Sequence, residues 1–224
     1  MAEKVKVIIL VDNEAGQGLK NDWGFSAYIE SNKWKILFDA DTNPKVLEYN
    51  CKKLGIDLSK IDFAVLSHWH HDHYGGLTYV EKVAKGKKLY VPMEKVMDFD
   101  FEIIPIKKST KILEDVWIIG PLPFSIAYEQ ALAIEIKGKL IVFVGCSHPG
   151  ADSLAYEAKN FVKKDILWVV GGYHLPSYRV LDNLAKISEF ISPAHCSGDE
   201  AKKYVRAKYP EKYLEAKTGS IFEF

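Results

Sequence analysis

The chain has almost no glutamine, with Gln17 and Gln130 the only two in 224 residues. Lysine and glutamate are abundant instead, a balance like that of thermophile proteins. Neither sign of charge is in excess, because 30 Lys and Arg offset 30 Asp and Glu. No basic stripe interleaves with aromatics, so the electrostatic footprint of a nucleic-acid binder is missing and no nucleic-acid partner is expected. Long hydrophobic runs are missing too. None approaches the ~18 residues that a membrane span needs, so no membrane association is expected. Met1 to Lys6 leads directly into Val7 to Val11 and then Asp12 and Glu14, without a small-residue cleavage site. This reads as the first strand of a cytoplasmic protein rather than a signal peptide. Cysteine is scarce: Cys51, Cys146 and Cys196 form an odd set with no pairing pattern, which fits a reducing compartment.

What is present is a chain 48% hydrophobic, long enough for a large core and short enough for one domain over residues 1–224. Val5 to Val11, Phe25 to Glu30 and Trp34 to Asp39 read as an antiparallel meander. Asn43-Pro44 opens a helix that Gly55 stops. Ile61 to Leu66 reads as a strand, Leu77 to Ala84 as a helix ended by Gly86, and Leu89 to Val91 as a short strand. Between 92 and 128 the pattern is weakest. A short helix is expected at Glu94 to Met97, strands near Ile103 to Ile106 and Val116 to Ile119, and a loop at Pro121 and Pro123. Alternation over Ala131 to Ile136, a Lys137-Gly138 turn and Leu140 to Val144 predict a hairpin. Helices are expected at Ala151 to Val162, Val180 to Phe190 and Gly198 to Lys208, with a strand at Ile166 to Val170.

Four of the seven histidines fall within Ser67-His68-Trp69-His70-His71-Asp72-His73-Tyr74-Gly75-Gly76, directly after an apolar strand. Neutral imidazoles and a carboxylate suit zinc, iron or manganese. In an extended segment His68 and His70 point to one side, and a turn at Gly75-Gly76 brings Asp72 and His73 around to a second position. One loop can thus serve two metals about 3.5 to 4 Å apart. His71 reads as a solvent-facing or supporting imidazole. The other three, His148, His174 and His195, also lie in or just after loops that follow apolar strands, where catalytic groups concentrate.

His68-Trp69-His70-His71-Asp72-His73 resembles the His-Xaa-His-Xaa-Asp-His signature of the metallo-β-lactamase superfamily, and the likeness covers nearly the whole chain. It implies an α/β fold, the four-layer αββα sandwich. Leu37-Phe38-Asp39, Glu129-Gln130-Ala131-Leu132, Gly145-Cys146-Ser147-His148-Pro149-Gly150, Gly171-Gly172-Tyr173-His174-Leu175 and Pro193-Ala194-His195-Cys196 look closest to the branch of archaeal dihydropterin-ribofuranosylaminobenzene phosphate synthases. Compared with the superfamily's better-known hydrolases, the 123–129 segment has no histidine, and Gly145-Cys146 stands where a Gly-Asp pair supplies a bridging aspartate. His148 becomes the candidate ligand from that loop, and one tight metal with a weaker second is expected.

The resemblance implies His68, His70 and His148 as ligands of one metal, and Asp72, His73 and His195 as ligands of the other. Zn is the expected cofactor, as one or two ions, with Mn or Fe as substitutes. Asp72 and His174 are the candidate catalytic groups. Asp39 matches a carboxylate that orients a ligating histidine, or it caps a strand-end turn. Cys146 and Cys196 read as small buried residues ahead of thiolate ligands. Glu129 is a site carboxylate or an edge-strand charge; Lys107, Lys108 and Arg179 read as solvated charges. The implied activity is a metal-dependent hydrolase acting through metal-activated water on a small-molecule ester or phosphoester. Alternatives are a synthase joining a pterin diphosphate to an aryl amine, a sensing protein with a coordinatively closed metal, and a redox protein of the flavodiiron type.

Overall fold

Asn43 begins the first helix by the expected chemistry, its side chain accepting the Lys45 N–H while Pro44 takes the first helical position. The helix, α1 (Pro44–Leu54), ends at Gly55, whose φ of 70° is a left-handed conformation that favours glycine. In this computed structural model, which describes residues 3–224, the chain divides into two compact units. The first holds residues up to Lys107 together with Lys217–Phe224, and the second is Lys108–Ala216.

In the first unit β1 (Val5–Val11), β2 (Ser26–Ser31) and β3 (Lys35–Phe38) make the antiparallel meander read from the sequence. The crossover through α1 lays β4 (Phe63–Val65) parallel to β3, with Phe38 opposite Val65. After α2 (His71–Tyr74) and α3 (Leu77–Val83), β5 (Lys88–Pro92) and β6 (Glu102–Ile106) extend the sheet in parallel. Leu47 and Cys51 of α1 and Leu77 and Val80 of α3 bury against Ile8, Leu10, Leu37, Ala64 and Leu89 of the sheet. Asn50, also buried, donates to the Leu10 and Lys20 carbonyls and accepts the Lys20 N–H, so its amide is satisfied inside the unit.

The second unit opens with an antiparallel run: β7 (Thr110–Leu113), β8 (Val116–Phe124), β9 (Ala127–Ile136) and β10 (Lys139–Val144). Two crossovers follow. α4 (Ala151–Val162) leads to β11 (Asp165–Gly172), and α5 (Tyr178–Ile187) leads to β12 (Ser188–Ala194), both strands parallel to β10. α6 (Gly198–Lys208) completes the unit, whose core joins Leu154, Leu181, Leu184 and Val205 of the helices to Ile119, Leu140, Val142 and Val169 of the sheet. The chain then returns β13 (Ile221–Glu223) to the first sheet beside β1. Sheet orders are β13-β1-β2-β3-β4-β5-β6 and β12-β11-β10-β9-β8-β7. The fold class is therefore as expected, mixed α/β with two sheets and their helices. No helix among the described residues is long and apolar enough to cross a membrane.

Four expectations are corrected. Glu94 to Met97 is a bend, not a helix: all four residues are exposed, and so short a helix does not persist without a buried face. Pro121 and Pro123 lie inside β8: Pro121 falls in the register shift between Ile119 and Leu122, which spares it a ladder donor, and Pro123 pairs with Tyr128 near the strand's end. The helix expected to reach Phe190 stops at Ile187, where Ser188 starts β12 and its hydroxyl caps the Leu184 carbonyl. Glu129 is not on an edge strand, since β9 sits between β8 and β10.

Candidate metal-ligating site

Parallel pairing of β3 and β4 brings Asp39, just past one strand, beside Ser67, just past the other. Asp39 is 2% exposed and turns there with φ 54°, which Asp tolerates better than most residues. Its buried carboxylate accepts the Ser67 N–H at 2.7 Å, the Ser67 hydroxyl at 2.7 Å and His73 Nδ1–H at 2.7 Å. An ionised carboxylate only accepts, so the serine hydroxyl gives it its one proton. Ser67 Oγ, 2.9 Å from His68 Nδ1, is then left to accept from that nitrogen. One carboxylate thus sets the tautomer of two histidines, leaving Nε2 of both His68 and His73 as the ligating nitrogen.

The loop between them is folded differently from the expected glycine turn. His71–Tyr74 is a single helical turn, and Gly75 and Gly76 have ordinary right-handed helical angles. Glycine is needed there for close approach: a Cβ at Gly75 would lie 2.1 Å from the Thr42 oxygen, and one at Gly76 1.9 Å from the Ala40 oxygen. That contact presses the loop onto the end of β3 and returns His73 to Asp39. The His68 ring lies 4.5 Å from the His70 ring and 4.3 Å from the His73 ring. Asp72 Oδ2 is 3.8 Å from His73 Nε2, with its side chain 17% exposed. His71 is exposed, on the solvent side as one of its two readings had it, and sets its ring edge-on to Tyr74.

The second unit repeats the device. Glu129, fully buried in β9, accepts the Ser147 N–H at 2.7 Å, the His148 N–H at 2.8 Å and His148 Nδ1–H at 2.9 Å. It holds His148 through Nδ1, so that Nε2 is the nitrogen left for a ligand. The His148 ring stacks on Phe124 at 4.4 Å and 13°, and the His174 ring lies 4.4 Å from it. Cys146 and His148 follow β10, His174 follows β11, and His195 and Cys196 follow β12. The carboxyl ends of three adjacent parallel strands therefore carry all five residues, the usual location of ligand-binding groups in α/β sheets. Ser147, His174, Leu175 and His195 have φ of 62°, 44°, 47° and 45°. Non-glycine residues in that region cost about 1–3 kcal/mol each and cluster at functional sites.

Lys107, Lys108 and Arg179 are exposed, as their reading as solvated charges implied. Sequence reasoning passed over Ser67, Phe124 and the pairing of Glu129 with His148. Glu129 lies 19 residues before His148, and only the β9-β10 register joins them.

Within each unit the donors are of a kind that could hold a transition metal: imidazoles whose tautomers a buried carboxylate fixes, with Asp72 beside them in the first unit and the thiols of Cys146 and Cys196 in the second. Strand ends so equipped on mixed α/β sheets define a class of metal-binding folds. The chain belongs to the metallo-beta-lactamase superfamily, whose family model matches residues 19–170. Members of that superfamily bind metal ions. The chain is 30% identical to an uncharacterized protein of Methanocaldococcus jannaschii, over 86% of this chain and 91% of that one. It is 23% identical to the 7,8-dihydropterin-6-methyl-4-(beta-D-ribofuranosyl)-aminobenzene-5'-phosphate synthase of the same organism, over 99% of this chain and 97% of the relative. The fold is similar to that of Tm1679, a metal-dependent hydrolase of the beta-lactamase superfamily, with a TM-score of 0.83 at 24% identity over 98% of this chain and 99% of that one.

The Glu129 contact makes a comparison possible between two neighbouring roles. His148→Ala is expected to lower metal affinity, and His71→Ala to lower it far less, because His71 is exposed and has no such carboxylate partner among the described residues. Equal affinities of the two variants in a chelator competition would contradict the assignment of His148.

Proposed function

We propose that the protein is a zinc-dependent hydrolase of small esters, phosphoesters or related substrates, with His68, His70, Asp72, His73, His148 and His195 as metal ligands. The observation that supports this most is the Asp39–Ser67 relay, which holds His68 and His73 in the ligating tautomer while the His70 ring lies beside His68. A bound zinc ion supplies Lewis acidity and lowers the pKa of a water toward about 7.

The chain's own groups supply the rest. Asp72, partly open to solvent beside His73, accepts the proton of the attacking water. His174, exposed next to His148, donates a proton to the leaving group. Phe124 covers one face of His148 and excludes water there. One residue beyond His174 a cleft of about 450 Å³ begins, lined by Leu175, Pro176, Tyr178, Ser197 and Glu200, a volume suited to a small molecule.

A second reading, transfer of a pterin from its diphosphate to an aryl amine, is supported by the full-length likeness to the dihydropterin synthase. The experiment is a screen of phosphoesters, thioesters and lactones, and of a pterin diphosphate with and without an aryl amine, using metal-loaded protein. Turnover with no amine present supports hydrolysis. Product formed only when the amine is supplied overturns it in favour of transfer. Inactivity on every substrate, with a coordinatively closed metal seen by spectroscopy, overturns it in favour of sensing.

A further inference from the structure

Two of the three cysteines sit in the second unit under conditions that differ from those of the third. Cys51 packs among Leu47, Leu58 and Ile61 in the apolar cluster of the first unit, and burial pushes its thiol up to about 12. Cys146 and Cys196 lie outside the apolar cluster that the helices of their unit form with its sheet. Each follows a strand end, and Cys196 Sγ points at the Cys146 carbonyl oxygen at 3.7 Å. Ligand atoms of Cys146, Cys196 and His174 all lie within 4.8 Å of one another.

We propose that Cys146, His174 and Cys196 form a thiolate-rich site for a soft closed-shell cation such as Zn²⁺ or Cd²⁺. Tetrahedral zinc with Zn–S near 2.3 Å and Zn–N near 2.0 Å separates its ligands by about 3.5 to 3.8 Å. The three atoms are thus a small side-chain adjustment from coordination. The frame around them is tied down. Leu175 N–H donates to the Cys196 carbonyl at 3.0 Å, Gly172 N–H to the Gly145 carbonyl at 2.8 Å, and Tyr173 N–H to Ser197 Oγ at 2.9 Å.

The sulfur position is built into the backbone. A Cβ at Gly172 would lie 2.6 Å from Cys196 Sγ and 2.5 Å from the Gly145 oxygen, so the sulfur occupies room that only glycine leaves. His174 and Leu175 take left-handed angles at that same point, which projects the imidazole toward the two thiols from the exposed side. Both sulfurs are buried and the histidine is exposed, so an ion enters from the His174 side and keeps a fourth position open. Two thiolates and an imidazole select zinc-like ions over magnesium, calcium and manganese. The site does not rest on the proposed hydrolysis and competes with it for His174, which as a ligand no longer donates a proton.

The test uses Cd²⁺ and the full chain. In Cys51→Ala the only thiols are Cys146 and Cys196, so saturating Cd²⁺ is expected to give thiolate-to-cadmium charge-transfer absorption, and adding His68→Ala should leave that absorption in place. Cys196→Ser should remove about half of the intensity, and His174→Ala should lower Cd²⁺ affinity at least about 10-fold, with the absorption recovered at higher ion concentration. Should a cysteine variant fail to fold, the unmodified protein decides. Cd²⁺ should slow alkylation of Cys146 and Cys196 in the native state, with and without His68→Ala. Absence of thiolate absorption at saturation, its loss with His68→Ala, or alkylation rates unchanged by Cd²⁺ would overturn the proposal. Because none of these readouts uses turnover, an inactive enzyme with cadmium–thiolate absorption would count against the hydrolase reading alone.

Discussion

Asp72→Asn is expected to lower turnover by at least about 100-fold while at least one metal ion per chain remains bound, the lower range for loss of acid–base catalysis. The substitution keeps the shape of the side chain and one neutral oxygen donor, and removes the charge and the basic oxygen. Asp72 occupies the helical turn His71–Tyr74, with Oδ2 3.8 Å from His73 Nε2 and part of its surface open to solvent. Because Asp39, not Asp72, fixes His73, the neutral variant leaves His68 and His73 oriented as before. Metal content and turnover should therefore separate. Rates equal to the unmodified protein on the best substrate of the screen, with metal confirmed, would show that the chemistry does not run through this carboxylate.

Asp39→Asn should act in the opposite way, on metal affinity first. Its carboxylate collects three donors in a site 2% exposed, and an amide offers only one acceptor oxygen in their place. The buried amide nitrogen would face the Ser67 hydroxyl or His73 Nδ1, reversing the sense of those hydrogen bonds. Losing such an orienting carboxylate costs about 10- to 100-fold in affinity. Ser67→Ala breaks only the branch to His68 and should cost less than Asp39→Asn. A chelator competition on both variants checks the order. If Ser67→Ala proved the more damaging of the two, the relay as drawn from Asp39 through Ser67 would be wrong.

How much of this was legible in the sequence depends on how local the signal is. α1, α4 and α6 were readable almost to the residue because Asn43-Pro44, Gly55, Gly150 and Gly198 mark their ends in the chain itself. β12 was not, because Pro193 and two serines mask a strand whose edge position makes the proline tolerable. β7 and β13 were missed as well; they are short, at or near the ends of their sheets, and stabilised by neighbours distant in sequence. The metal-ligand candidates were visible as residue types next to glycines. What held them was visible only in part: the resemblance offered Asp39 as a carboxylate orienting a histidine, but not which histidines it reaches or through which serine. Asp39 lies 28 positions from Ser67 and 34 from His73, and Cys146 and Cys196 lie 50 apart. Those relations exist only once β3 is registered on β4, β10 on β11, and β11 on β12.

The most direct test of the central claim, that the histidine loop holds metal, is elemental analysis of protein purified without chelators, alone and as His68→Ala. Between one and two transition-metal ions per chain, chiefly zinc, are expected in the unmodified protein, with a clear loss in the variant, since imidazole-rich sites rank zinc and iron above magnesium. Metal-free protein, or a metal content unchanged by His68→Ala, would contradict it.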